Sequence, residues 1–200
     1  MSAGTSGTPG TPETPGTPGA GPDVSVRVAW SADAPAIADV QIGAWREQYA
    51  GLLPEDLLEA LDPESFTHTW AEALDKPRDA RNRVLVALER VTVRGFAVTG
   101  PADDPDCDPV IDGEVIELSV AGDHTRAGHG SRLLQACADT LRADRFTRAV
   151  TWLTSTDDVR RGFFAEAGWA PDGGHRELDL HGDGSVRVKQ VRLHTDLTEP

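Results

Sequence analysis

Cysteine is scarce in this chain of 200 residues: Cys107 and Cys137 are the only two. Two thiols cannot build a disulfide framework or a four-thiolate zinc site. They read as free thiols, one in an acidic loop and one in a helix. Basic residues are also in short supply. Lys and Arg number 19 against 33 Asp and Glu, a formal net charge of −14. Such a surface does not neutralise phosphates, so neither nucleic acid nor an anionic membrane is an expected partner. A cationic or amine-bearing partner suits it better. No window approaches the roughly 18 consecutive apolar residues of a membrane helix. The N-terminus shows no basic region leading into an apolar run, so the expected location is the cytoplasm.

What is present divides into two materials. Residues 1–23 repeat Thr-Pro and Pro-Gly units and hold no aliphatic residue larger than alanine between Met1 and Val24. Such a stretch buries nothing that offsets its ordering entropy, and it reads as a disordered tail. Residues 24–198 read as one domain. The hydrophobic content of 38% supplies its core.

Val24–Trp30 alternates as a strand. Ser31 or Asp33 is placed to cap the helix that follows, where Ile37, Val40, Ala44 and Trp45 recur at helical spacing. Leu57, Leu58 and Leu61 mark a short helix after Gly51 and Pro54, and Phe66, Trp70 and Leu74 mark another. Arg83–Glu89 is nearly all apolar, as for a strand covered on both faces. Val91–Val98 follows across a tight turn. Five aspartates lie among prolines in residues 100–113 without the ligand spacing of a calcium loop, so this is a solvated acidic loop. Val115–Val120 is a strand, Leu133, Leu134, Cys137 and Leu141 line a helix face, and Ala149–Thr154 is a strand. Val159, Phe163 and Ala167 lie on a helix ended by Gly168. Glu177–Leu180 and Val186–His194 form a last hairpin through Gly182, Asp183 and Gly184. The order β-α-α-α-β-β-β-α-β-α-β-β gives a mixed α/β sheet packed by helices.

The chemistry concentrates after Val120. A strand runs into a glycine-containing loop, Thr125-Arg126-Ala127-Gly128-His129-Gly130-Ser131, which opens a helix. The first amides of a helix point outward unpaired and its dipole adds about half a positive charge, which together favour an anion. Gly128 and Gly130 lack the Cβ atoms that hold a phosphate away, and Arg126 and Arg132 add charge. The loop is neither a Walker loop nor a full dinucleotide fingerprint. Taken alone, its glycines also fit a plain strand-to-helix turn. His124 and His129 suggest a metal pair, but no carboxylate or thiol at a suitable spacing completes a site, so no metal is assigned.

Over residues 24–195 the chain resembles the GNAT N-acetyltransferase family. The strand Glu117-Leu118-Ser119-Val120 and the loop after it resemble the family's acetyl-CoA segment, Arg/Gln-x-x-Gly-x-Gly/Ala after Val-x-Pro-Glu-His. Val120, Asp123, His124, Gly128 and Gly130 match, while Thr125 takes the Arg/Gln place. Asp157–Trp169 resembles Asn-x-x-Ala-x-x-Phe-Tyr-x-x-x-Gly-Phe, with Asp157 for the asparagine and Phe164 for the tyrosine. Ala36–Leu58 is similar to the N-terminal stretch of many members.

The resemblance implies an α/β fold with a mixed, mostly antiparallel sheet flanked by helices. Its splayed central strands form the acyl-CoA cleft. Acetyl-CoA is the implied acyl donor, and the acceptor is a small-molecule or peptide amine that attacks directly. Leu118, Ser119 and Val120 are the implied main-chain partners of the pantetheine arm, with an amide near Leu118 polarising the thioester. Thr125, Arg126, Ala127, Gly128, His129, Gly130 and Ser131 hold the pyrophosphate, with Asp157 and Phe163 as further contacts. Glu114 aligns with the family's general base, and Glu117 is the second candidate. Strict alternation puts Glu114 with Ile116, Leu118 and Val120, and Glu117 with Ser119, unless a bulge reverses the parity. Trp45 and Tyr49 border the acceptor. Phe164 removes the usual tyrosine acid, and an acid at Asp157 repels phosphate. A homodimer is compatible with these features. Two rival readings remain, a non-catalytic acyl-CoA-binding or sensing module and an interaction protein that only borrows the fold.

Overall fold

The computed structural model describes residues 24–180, 182, 184 and 186–198. The tail expected over residues 1–23 lies outside them, as does Asp183 of the last hairpin. The elements are β1 (Val24–Val28), α1 (Ala34–Gln48), α2 (Glu55–Glu59), α3 (Pro63–Asp75), β2 (Arg83–Glu89), β3 (Thr92–Pro101) and β4 (Asp112–Val120). They continue with α4 (His129–Ala143), β5 (Arg148–Thr154), α5 (Asp158–Glu166), β6 (Ala170–Asp179) and β7 (Arg187–Asp196). The element order read from the sequence is the order observed.

Seven strands form one sheet in the order β1-β2-β3-β4-β5-β7-β6. Among the described residues β4 and β5 are the one parallel pair, and every other neighbour is antiparallel. The amphipathic α4 lays Leu133, Leu134, Cys137 and Leu141 on one face of the sheet, against Leu85, Ala87, Ala97, Val115 and Leu118. Ile37 and Val40 of α1 meet Val86 and Phe96 on the opposite face, where Trp70 of α3 packs edge-on against Phe96. β2 is therefore covered on both sides, as its continuous apolar run requires. Removing each such side chain from water contributes about 2 kcal/mol.

Several local expectations are revised. Neither Ser31 nor Asp33 caps α1 through its side chain. The Asp33 carboxylate instead takes two bonds from Arg27, at 2.7 and 2.9 Å, and one from the Trp30 amide. Asp62 does cap α3, accepting from the amides of Glu64 and Ser65. The short helix α2 ends before Leu61. β6 begins at Ala170, well before Glu177, because an irregularity between Pro171 and His175, with Gly173 at φ +89°, interrupts the alternation that marks a strand.

Two distortions in the centre of the sheet build the site. The β3–β4 register steps from Val98 opposite Glu117 to Thr99 opposite Val115, so Ile116 is an unpaired bulge. The β4–β5 pairing stops at Glu114 and Val150, after three residue pairs. Beyond that point the two strands part. Ile116, the bulged residue in mid-strand, is 52% exposed.

Candidate active site

The parting of β4 and β5 leaves a row of main-chain groups open. The Leu118 carbonyl accepts from Arg160 of α5 rather than from β3, while the Ala121 amide donates to Arg94 of β3. Alternation then turns the main-chain groups of Leu118 and Val120 into the gap and those of Glu117 and Ser119 toward β3. A Cβ added at Gly95 of β3 would stand 2.8 Å from the Ser119 carbonyl, which confirms how closely β3 faces that group. Leu118 and Val120 thus leave their main-chain groups open on the gap edge. Ser119 does not offer its main chain to the gap, and its hydroxyl donates to Glu117 at 3.3 Å.

Past Val120 the chain makes one short turn and enters α4. Among the described residues, the six consecutive amides from Arg126 to Ser131 donate to no protein acceptor. Gly128 is the N-cap of α4 at φ +83°, with no side-chain cap. Arg126 is also left-handed, at φ +64°, a conformation that costs a residue with a Cβ about 1 kcal/mol or more. The two left-handed residues curl the amides into a concave nest at the positive end of a helix. Arg126 and Arg132 flank it, exposed. The Thr125 hydroxyl turns back onto the Gly122 carbonyl at 3.1 Å. A Cβ added at Gly130 would meet the Phe163 ring at 3.5 Å, an ordinary contact, so packing does not by itself require a glycine here. The His129 ring is 1% exposed and points inward, where burial lowers its pKa, so only its amide belongs to the nest. Asp157 is committed as the N-cap of α5, accepting from the Arg160 amide at 2.9 Å. Beside the nest a groove of about 420 Å³ runs between α4 and α5, lined by Ser131, Phe163 and Trp169 among others.

The bulge decides where the carboxylates lie. With Ile116 unpaired, Glu114 stands opposite Gly100 and Glu117 opposite Val98. Both project to the α1 side, while Val115 and Leu118 go into the α4 core. The pairing of Glu114 with the face of Leu118 and Val120 is therefore corrected: the extra residue shifts the side-chain period by one. Burial raises the pKa of both acids. The Asp103 amide, at 3.5 Å, and the nearby Arg176 partly oppose this at Glu114. At Glu117 the opposition comes from hydrogen bonds donated by Ser119 and Gln41, from Arg160, and from the Trp45 indole. Gln41 in turn accepts from Trp70 at 2.8 Å, so a relay from α3 through α1 fixes Glu117.

Trp45 of α1 and Tyr49, which caps the end of that helix, lie close to Glu117. Trp45 meets Tyr49 and Phe66 edge-on. Burial and the Glu117 charge raise the Tyr49 pKa, while Arg160 lowers it. Phe164 is 1% exposed and packs on Trp169 and Phe163. Gln41, Gln48 and Arg160 were not singled out from the sequence. The available signal was Arg160, which stands where the matched pattern has alanine.

A parted strand pair, a main-chain nest at its mouth and half-buried carboxylates on the opposite face define a cleft for acyl transfer from a nucleotide-tailed thioester. The model of the acetyltransferase (GNAT) family matches residues 45–169, and the chain belongs to that family. It is 29% identical over 130 residues to the uncharacterized N-acetyltransferase YuaI of Bacillus subtilis (strain 168), covering 65% of this chain and 71% of that protein. Among solved structures, the PaiA N-acetyltransferase of Thermoplasma acidophilum in complex with coenzyme A superposes at a TM-score of 0.64. It shows 15% identity, over 87% of this chain and 99% of that one. The ribosomal-protein-alanine N-acetyltransferase of Brucella melitensis gives 0.66 at 22% identity, over 86% and 99%. The fold is that of the family, and the chain is an acyl-CoA-dependent acetyltransferase with acetyl-CoA as donor. Among the described residues no helix is long and apolar enough to cross a membrane.

Proposed function

We propose that this enzyme transfers the acetyl group of acetyl-CoA to a primary amine of a small molecule or protein, by direct attack and without a covalent enzyme intermediate. The observation that carries this reading is the run of unpaired amides from Arg126 to Ser131, which leads into the gap edge at Val120 and Leu118. A diphosphate suits the nest, and an extended amide-bearing arm suits the strand edge. The Leu118 amide polarises the thioester carbonyl. Glu117, held by Gln41 and Ser119, orients the acceptor ammonium between Trp45 and Tyr49. Glu114 has one long hydrogen bond and a pKa raised by burial, which suits a base that takes the ammonium proton near neutrality. Holding amine and thioester in line supplies the rest of the acceleration.

The test is acetyl-CoA consumption against a panel of polyamines, amino acids, aminoglycosides and peptides, with calorimetry of CoA binding. Turnover of one amine class with CoA heat supports the reading. CoA binding without turnover, unaltered by Glu114→Gln, points to a binding or sensing module. Absence of CoA binding overturns both.

A further inference from the structure

Acyl transfer from a thioester ends with an anion. The amine nitrogen bonds to the carbonyl carbon, the carbon–sulfur bond breaks, and its electron pair departs on sulfur. The ammonium gives one proton to a base before attack, the nitrogen gives up a second as the tetrahedral adduct collapses, and both pass on to water. In a gap between two strands, with water partly excluded, the departing thiolate needs a cation or an acid beside it. On α5, the helix that borders the gap, Phe164 supplies only hydrocarbon. One turn earlier, on the same side of the helix, stands Arg160. Its guanidinium donates to the Leu118 carbonyl at 2.9 Å and to the Gln48 side chain at 3.3 Å. The Leu118 main chain is the group read above as polarising the thioester, and the sulfur is bonded to that same carbonyl carbon.

We propose that Arg160 is a catalytic residue of this acetyltransferase, its guanidinium stabilising the CoA thiolate as it leaves. The inference rests on the reading of the cleft given above. An arginine cannot lose its proton here, so it acts as a fixed charge and not as an acid. The sulfur leaves as thiolate, and both protons lost from nitrogen pass through the carboxylate base to water. When the donor's amide takes the Leu118 carbonyl, the guanidinium loses one partner and keeps Gln48. The freed N–H groups then have an anion to receive. The titratable groups facing Arg160 are Glu117 from β4 and Tyr49 from the end of α1, where it is the C-cap. Glu117 is held by its own donors, and a neutral phenol does not compete.

The experiment titrates the thiol of free CoA bound to the full-length wild-type protein, Arg160→Gln and Arg160→Lys. It follows thiolate absorbance in the ultraviolet, with calorimetry confirming that each complex forms. The expected result is a thiol pKa about one unit lower on the wild type than on Arg160→Gln, with Arg160→Lys close to wild type. At saturating donor, kcat of Arg160→Gln falls about tenfold, the counterpart of that unit, while KM for the amine holds. Equal thiol pKa values on wild type and Arg160→Gln overturn the proposal and leave the acetyltransferase reading intact. So does a rise in kcat on Arg160→Gln, which makes Arg160 only an obstruction, or a change confined to the amine KM, which makes it an acceptor contact. Failure of wild-type protein to bind CoA sinks the parent reading instead.

Discussion

Glu114 and Glu117 lie three residues apart on β4 yet project from the same face, because Ile116 between them has no partner on β3. A regular strand would send one of them into the α4 core, where Val115 and Leu118 lie. The bulge brings two half-buried carboxylates to one chamber at the point where β4 and β5 part.

Replacing Glu114 by Gln removes the proposed base. The expected loss in kcat is about 100-fold at neutral pH. The wild-type rate should rise with pH through the elevated Glu114 pKa, and the variant should lose that limb. A pH–rate profile of both proteins checks it. An unchanged profile assigns the proton to another group.

The same substitution has a stability signature of opposite sign. Burial raises the Glu114 pKa above its ordinary value of 4.5, so the folded protein holds the proton more tightly than the unfolded chain. Below about pH 4.5 both states are protonated and no penalty exists. As pH climbs from there to the folded pKa, the unfolded chain ionises while the native state holds its proton, and the cost this builds persists at neutrality. Glu114→Gln should therefore melt higher than wild type at pH 7 and match it near pH 4, read by calorimetric scans at both values.

Gly128→Ala tests the nest. A Cβ at φ +83° is strained and would also meet the Arg132 guanidinium at 2.6 Å. A stability loss of about 1 kcal/mol or more follows. CoA affinity should fall about tenfold as the amides turn away from their common focus, a loss of about 1.4 kcal/mol. Calorimetry with CoA reads the second effect, and denaturant melts read the first.

Arg192→Ala tests what holds the acidic loop. The side chain is 8% exposed and bonds Asp172 at 2.8 Å and Asp104 at 3.0 Å. Its removal leaves Asp104 without a cation, while Asp172 keeps Arg148 and the Gly174 amide, at a cost of about 3 kcal/mol. The loop it anchors also supplies the Asp103 amide to Glu114, so a shifted pH–rate profile should accompany the fall in urea midpoint.

Much of this was legible from local pattern. The periodic faces of α4 and β2, the strand–loop–helix after Val120 and the order of elements follow from residue spacing, because burial on one side repeats at 3.6 or 2 residues. Ser119 shows where that reasoning stops. Its position in the strand suggested a main-chain contact with the donor, but its carbonyl faces β3, and which edge a strand leaves open depends on its neighbours. Asp157 likewise resembled a cofactor contact and serves as a cap.

By itself the sequence determined the chemistry that was available: a nest-forming loop, two nearby acids, one tyrosine and no hydroxyl at position 164. The tertiary structure alone decided their arrangement. The Ile116 bulge and the early end of the β4–β5 ladder are properties of strand register. The approach of Arg160 to Leu118 and of Gln41 to Glu117 depends on helices packed from distant parts of the chain. Register and packing are set by long-range contacts, and these leave no periodic mark on the segments that make them.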